Sequence, residues 1–143
     1  MVERHLHQRF QEYLDCFMEA DIEAELKRFE AGTRGPVDED ETEAALKVLA
    51  LALFASIARK AGKILVSGDR IDLLSPERSP LVTISPDLVA RAADIVTEIS
   101  GLEAGGEAGR LVAGLRNGQL ELNITQAGSG KQRAVTIGLP SLD

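Results

Sequence analysis

The segment from Ala44 to Ala58 constrains the fold more than any other part of the chain. Only two of its residues, Lys47 and Ser56, are polar. A helix that is apolar on nearly all sides must be covered on nearly all sides. The segment is therefore expected to be the central core helix or to lie in a subunit interface. A chain of 143 residues buries about two-thirds of its surface on folding, which allows such a core without disulfides.

The residues around this segment mark both ends of a helix. Residues 38–43 are mostly acidic, Arg59 and Lys60 follow the apolar stretch, and Gly62 is expected at the C′ position. An EF-hand calcium loop needs glycine at its sixth position, where this acidic run has Glu43. The run is therefore interpreted as the electrostatic start of a helix and not as a calcium site.

Residues 3–30 contain neither glycine nor proline and are predicted to form one long helix. Asp21 interrupts its first apolar stripe, and the next apolar residues lie on a different face. The helix is expected either to bend near Ala20 or to pack its two halves against different partners, with a second subunit as one candidate. The predicted subunit interface is the aromatic-rich face of the first half, made up of Leu6, Phe10, Tyr13 and Phe17.

After residue 62 the pattern changes from helical to extended. Apolar runs at residues 64–66, 71–74 and 81–84 are separated by clusters of turn-forming residues. This pattern predicts two or three short strands.

Two further helices are predicted after these strands. Ser85-Pro86 is typical of a helix start, and the apolar residues that follow keep helical spacing until Gly101. Residues 110–116 are predicted to form a second, short helix that presents Leu111 and Leu115.

The last segment alternates between apolar and polar residues with a period of two, which predicts an amphipathic hairpin with one wet face. The predicted hairpin pairs residues 120–126 with residues 133–139 around a turn at Ser129-Gly130. In the predicted register, the three apolar pairs are Ile124 with Val135, Leu122 with Ile137, and Leu120 with Leu139.

These elements predict an α+β fold in the order α-α-β-β(-β)-α-α-β-β. Two long N-terminal helices precede a small antiparallel sheet of about four strands, and further helices lie between the two hairpins. Residues 1–143 are predicted to be a single α+β domain, in which residues 1–62 form a helical hairpin and residues 63–143 form the sheet and the other helices.

Charge and composition exclude several classes of partner. The formal net charge is −7 and aromatic residues make up 3% of the chain, so neither a cationic surface nor stacking platforms for nucleic acid are expected. The most apolar run, residues 48–55, is far shorter than the ~20 residues that span a membrane. Residues 1–10 lack the apolar stretch of a signal peptide. We therefore expect a cytoplasmic protein that binds neither nucleic acid nor membranes.

Motifs that would indicate a cofactor, a metal or a catalytic group are incomplete. Gly128-Ser129-Gly130-Lys131 lacks the first glycine and the final hydroxyl of a phosphate-binding loop. The two histidines, His5 and His7, point about 200° apart on a helix and cannot bind one ion together. With Cys16 as its one cysteine, the chain is expected to have no catalytic residues, no cofactor and no metal site.

One polar cluster remains as a candidate ligand site near the predicted strand loops. Carboxylates beside arginines could bind a small acidic ligand or transfer protons. Residues of these types are more often turn formers and surface ion pairs. The cluster consists of Asp69, Arg70, Asp72 and Arg78.

The sequence favours a non-catalytic, homo-oligomeric cytoplasmic interaction module, such as a regulator, an adaptor or a small chaperone. This hypothesis depends on the incomplete motifs and on more apolar helix surface than a small sheet covers. The expected partner is a second copy of the chain, in a dimer, with a further protein partner as an addition. The alternative is a small-molecule-binding domain or enzyme whose pocket lies between helices and sheet.

Overall fold

In the part of the chain that the computed structural model describes, three helices precede the first strand and a fourth lies between two groups of strands. The structure describes residues 2–18, 21–32, 41–68, 70–74, 78–84, 86–100, 108–115, 118–127 and 134–139. The helices are α1 (Val2–Phe17), α2 (Ile22–Gly32), α3 (Glu41–Ala58) and α4 (Pro86–Ile99).

The strands form one antiparallel sheet in the order β3-β2-β1-β6-β5-β4. Each group of three consecutive strands is a meander, and the two meanders meet where β1 pairs with β6. The predicted α+β class is confirmed, with six strands where about four were expected. The strands are β1 (Lys63–Ser67), β2 (Arg70–Leu74), β3 (Arg78–Thr83), β4 (Ala108–Leu115), β5 (Gly118–Ala127) and β6 (Ala134–Gly138).

The predicted single helix over residues 3–30 is wrong, because the chain forms two helices there. Asp21 is the N-cap of α2: its Oδ1 accepts a hydrogen bond from the Ala24 N–H at 3.2 Å, and its carbonyl accepts one from the Glu25 N–H at 3.0 Å. Aspartate stabilises a helix start in this way. The interruption falls where a bend was expected, so the two apolar faces belong to separate helices.

α3 is the central core helix, which is one of the two positions that its apolar sequence predicted. It packs against α1, α2, α4 and β1, and its one polar residue in the fully buried part, Ser56, donates a hydrogen bond to the Leu53 carbonyl at 2.8 Å. Its buried residues are Ala44, Ala45, Leu46, Val48, Leu49, Ala50, Leu51, Ala52, Leu53, Ala55 and Ser56.

The C-terminus of α3 differs from the prediction that placed Gly62 at C′. Lys60 has φ of 58°, its N–H donates to the Ile57 carbonyl at 3.2 Å, and the Ala61 N–H donates to the Ser56 carbonyl at 2.8 Å. These two bonds form a Schellman motif with Lys60 at C′. Gly62 instead leads into β1, where its carbonyl accepts the Leu139 N–H at 2.9 Å.

The strand and helix predictions for residues 63–100 are confirmed. The three apolar runs became β1, β2 and β3, and α4 begins at Pro86 with Leu88, Ala92, Ile95 and Val96 buried. Ser85, the predicted N-cap, lies outside the described residues. One helix, not two, separates the strand groups in the described part of the chain.

The short helix predicted over residues 110–116 is wrong, because residues 110–115 belong to β4. Leu111 and Ala113 are buried, whereas Arg110 and Val112 are exposed. This alternation is that of a half-buried strand, and β4 pairs along its whole length with β5.

The predicted register of the last hairpin is also wrong, by two residues. Ile124 lies opposite Ile137, and Gln126 lies opposite Val135. The reason is that β6 also pairs with β1, where Ile64 faces the same Ile137. The row of three isoleucines across the sheet sets the register, and the predicted turn at Ser129-Gly130 lies outside the described residues.

Candidate interaction site

The aromatic face predicted as a subunit interface packs largely inside the chain. Phe10 is 4% exposed and Phe17 is 8% exposed, and Tyr13 is half-buried against the same core. The Leu6 side chain lies outside the described part of the structure. The subunit interface stays a prediction. It was predicted because the aromatic face of this helix was expected to be uncovered, and Phe10 and Phe17 are not uncovered.

Tyr13 belongs to a hydrogen-bonded group that ties α1 to α3. Its hydroxyl donates to Glu43 Oε1 at 2.8 Å, and the Arg9 guanidinium donates to the same oxygen. The Tyr13 ring also stacks on Phe17, with ring centroids 6.1 Å apart. The group therefore joins α1 to the first turn of α3.

The environment of this group changes two pKa values. Burial raises the pKa of the Tyr13 hydroxyl to about 12. The Glu43 carboxylate acts in the same direction, because it accepts a hydrogen bond from the protonated hydroxyl. The hydrogen bond to Glu43 raises the pKa of the Arg9 guanidinium above its ordinary value. Both shifts favour the protonated forms that make these bonds.

We expect Tyr13 to ionise well above pH 10 in the folded chain. The chain has one tyrosine and no tryptophan, so the ultraviolet absorbance of tyrosinate reports this residue alone. The pKa is raised on folding, so the contribution to stability is complete below pH 10 and is lost as the pH rises from about 10 toward 12.

The control for this titration is Glu43→Gln, which removes the negative charge and should lower the Tyr13 midpoint. A native midpoint equal to that in denaturant would contradict the contact between Tyr13 and Glu43.

A surface groove of about 640 Å³ lies between α1 and the edge strand β4. Among the described residues, Val112 is the large apolar side chain that stays exposed, at 37%. Among the described lining residues, the charged side chains are those of Glu12 and Asp15, and both are acidic. The lining consists of Gln8, Gln11, Glu12, Asp15, Val112, Gly114 and Gln119.

Gln11 forms the base of this groove by bonding to the backbone of β4. Its Nε2 donates to the Gly114 carbonyl at 2.8 Å, and its Oε1 accepts the Gly114 N–H at 2.8 Å. Its Nε2 also donates to Asp15 Oδ1 at 3.1 Å. A Cβ at position 114 would lie 3.2 Å from Gln11 Oε1, so glycine permits the close approach of the amide.

The predicted polar cluster is brought together only in part. Arg70 Nε lies 3.5 Å from Asp72 Oδ2, and Asp72 is 1% exposed whereas the Arg70 side chain is 45% exposed. Asp69 lies outside the described residues, as does the side chain of Arg78, whose backbone pairs with Leu74. Arg70 and Asp72 thus form an ion pair along β2.

The alternative hypothesis expects a pocket between helices and sheet, where the described residues enclose only a small void. The void there has a volume of about 10 Å³, roughly one water probe. Its lining is entirely apolar and consists of Phe10, Leu49, Leu53, Ile64, Val96, Ile99, Leu111, Leu122 and Ile137.

The described residues contain no group of three or more His, Cys, Asp or Glu that could hold a metal ion. None of their helices is both long and apolar enough to cross a membrane. Cys16 is an exposed free thiol on α1.

No protein-family model matches the chain, and no curated protein matches it. The groove and its Gln11–Gly114 contact were not predicted from the sequence. Gln11 lacks a distinguishing local pattern, and Gly114 fell in the segment predicted as a helix.

Proposed function

We propose that this chain is a non-catalytic, homo-oligomeric interaction module of the cytoplasm, in the class of regulators, adaptors and small chaperones. The observation that carries the proposal is the exposed surface of β4 and β5 beside the groove. It combines an exposed apolar side chain, Val112, with charged groups of both signs.

This surface has the chemistry to meet a second copy of itself. Arg110 and Glu121 lie on the same sheet face as Val112, and their side chains form an ion pair at 3.0 Å. A two-fold axis near Val112 would place its methyl groups against those of the second copy, with positive and negative groups around them. A self-complementary patch of this kind is what a two-fold dimer requires.

The small size of the void that the described residues enclose between the helices and the sheet supports an interaction module over the alternative. The void between α1, α3, α4 and the sheet has room for about one water, so a small molecule would have to bind elsewhere. Phe10 and Phe17 are buried within the chain, whereas Tyr13 stays half-buried.

Sedimentation equilibrium at micromolar concentration tests the proposal. The wild type is expected at twice its 15.4 kDa chain mass, and Val112→Asp is expected at the chain mass, because each copy would bury a carboxylate in the contact. The control is Ala24→Asp, an exposed position on α2, which should keep the wild-type mass. A reductant is included, because Cys16 is an exposed free thiol and oxidation of exposed thiols joins chains through disulfides.

Exchanging the two charges separates a specific dimer from unspecific adhesion. Arg110→Glu should weaken the dimer, and the double variant Arg110→Glu/Glu121→Arg should restore it. A wild type that sediments at the chain mass would remove the homo-oligomer from the proposal. A small molecule retained by the purified protein in native mass spectrometry would favour the ligand-binding alternative.

A further inference from the structure

The groove between α1 and β4 has a negatively charged wall on its helix side. The α1 residues that line it are Gln8, Gln11, Glu12 and Asp15, and their spacing of three and four residues places them on one face of the helix. Glu12 and Asp15 are exposed. Because the whole chain also carries a net charge of −7, a positively charged occupant complements this groove.

The Asp15 carboxylate is held in position by the contact that forms the base of the groove. Gln11 Nε2 donates to Asp15 Oδ1 at 3.1 Å, while the same amide bonds to both backbone groups of Gly114 at 2.8 Å. A carboxylate has about four lone-pair sites for hydrogen bonds. The bond from Gln11 therefore orients Asp15 and leaves it able to accept a further bond from an ammonium or guanidinium group. An acceptor that is already oriented loses less side-chain entropy on binding.

The dimensions of the groove suit a short stretch of extended peptide. Gln8 and Asp15 are seven residues apart, which is about 10 Å of helix rise and the length of about three residues of extended chain. Gln8 on α1 and Gln119 on β5 are exposed, and both line the groove. Their amides can donate and accept hydrogen bonds, which are the bonds that the backbone of an extended peptide makes.

The spacing of the two carboxylates matches alternate side chains of such a peptide. Glu12 and Asp15 are three residues apart on a helix, so their Cβ atoms are about 5–6 Å apart. In an extended chain, alternate side chains point to the same face and lie about 6.6 Å apart. Two long basic side chains at alternate positions can therefore reach both carboxylates at once.

We propose that this groove binds an extended segment of a partner protein that carries lysine or arginine at two alternate positions. The ammonium or guanidinium groups pair with Glu12 and Asp15, and the amides of Gln8 and Gln119 bond to the backbone of the segment. The assignment rests on the proposed function as an interaction module, but it does not depend on the proposed dimer.

The test is a fluorescence-anisotropy titration of the full chain with a labelled peptide, Gly-Ser-Lys-Ser-Lys-Ser-Gly. The double variant Glu12→Gln/Asp15→Asn should bind it at least about fivefold more weakly, a typical total for two exposed ion pairs. The matched control is Glu23→Gln/Asp87→Asn, which removes the same charge at exposed positions outside the groove lining. Its affinity should stay at the wild-type value, since salt at about 0.15 M screens charges more than about 8 Å apart.

Two comparison ligands distinguish such a segment from other cations. The peptide Gly-Ser-Lys-Lys-Ser-Ser-Gly should bind more weakly, because adjacent side chains of an extended chain point to opposite faces. Spermidine should also bind more weakly, because it has no peptide backbone for the amides of Gln8 and Gln119. In proton–nitrogen correlation spectra of the wild type, the first peptide should shift the side-chain amide signals of these two glutamines, a readout that needs no variant.

The proposal is overturned if the peptide leaves those amide signals unshifted, or if the two double variants weaken its binding equally. It is also overturned if spermidine or the peptide with adjacent lysines binds as tightly as the first peptide. A lower sedimentation mass of Glu12→Gln/Asp15→Asn than of the wild type would make a second copy the occupant and would overturn it too. Failure of the proposed dimer is a separate result, because it is measured as the mass of the wild type alone.

Discussion

Phe10→Asp is expected to unfold the chain and not to separate two folded subunits. Phe10 is 4% exposed and lines the core together with Leu49 and Leu111. Removal of a buried phenylalanine side chain costs about 3–5 kcal/mol, and burial of an unpaired carboxylate adds several more. The sum is comparable to a typical domain stability of about 5–15 kcal/mol. Circular dichroism at increasing urea concentration measures the loss.

The comparison variant is Val112→Asp, which introduces the same carboxylate at an exposed strand position. The free energy of unfolding of its monomer should stay within about 1 kcal/mol of the wild-type value, since substitutions at exposed positions cost little. If Phe10→Asp instead kept its stability and only lowered the mass of the assembly, the aromatic face of α1 would be a subunit interface after all.

Thr136→Pro is expected to cost more than about 3 kcal/mol. Thr136 lies in β6 between Leu65 of β1 and Thr125 of β5. Proline removes the N–H from a strand that is paired on both sides, and it occurs in sheets almost only at edges. β6 joins the two meanders, so the loss should appear as lower stability of the whole sheet in urea unfolding.

Thr136→Val is the matched control for this substitution. Valine keeps the backbone donor and favours extended structure, so its unfolding midpoint should stay close to that of the wild type. Equal stability of the proline and valine variants would contradict the central position of β6.

Local sequence patterns were sufficient to predict the helices α3 and α4. The apolar run of α3 required cover on all sides, and α1, α2 and α4 provide it. A helix start at Pro86 and the helical spacing of Leu88 and Ile95 predicted α4 correctly. In each case the sequence pattern that predicted the helix lies within the helix itself or at its start.

The errors arose where distant residues decide the structure. Residues 110–115 satisfy a short helical pattern, but pairing with β5 makes them a strand. The hairpin register followed from two strands considered alone, whereas Ile64 on β1 fixes the position of Ile137. The contact between Gln11 and Gly114 joins a helix to a strand far along the chain, and no local sequence pattern predicts it.

Asp21 is an intermediate case. Its residue type is a local signal for a helix start, but its position within an apolar stripe was interpreted as an interruption of one long helix. An aspartate that interrupts an apolar stripe is also a preferred N-cap residue. Its bonds to Ala24 and Glu25 show that the interruption starts a new helix.

The pairing of β1 with β6 has a consequence for how the chain emerges during synthesis. β1, β2 and β3 leave the ribosome early, but the neighbour of β1 on its other side is the last strand of the sheet. Until β6 arrives, Ile64 and Val66 lie on a strand with an open edge. Such long-range pairing slows folding, and an open edge on a nascent chain favours aggregation. The nascent protein is therefore most prone to aggregation at β1, which becomes one of the two middle strands of the sheet.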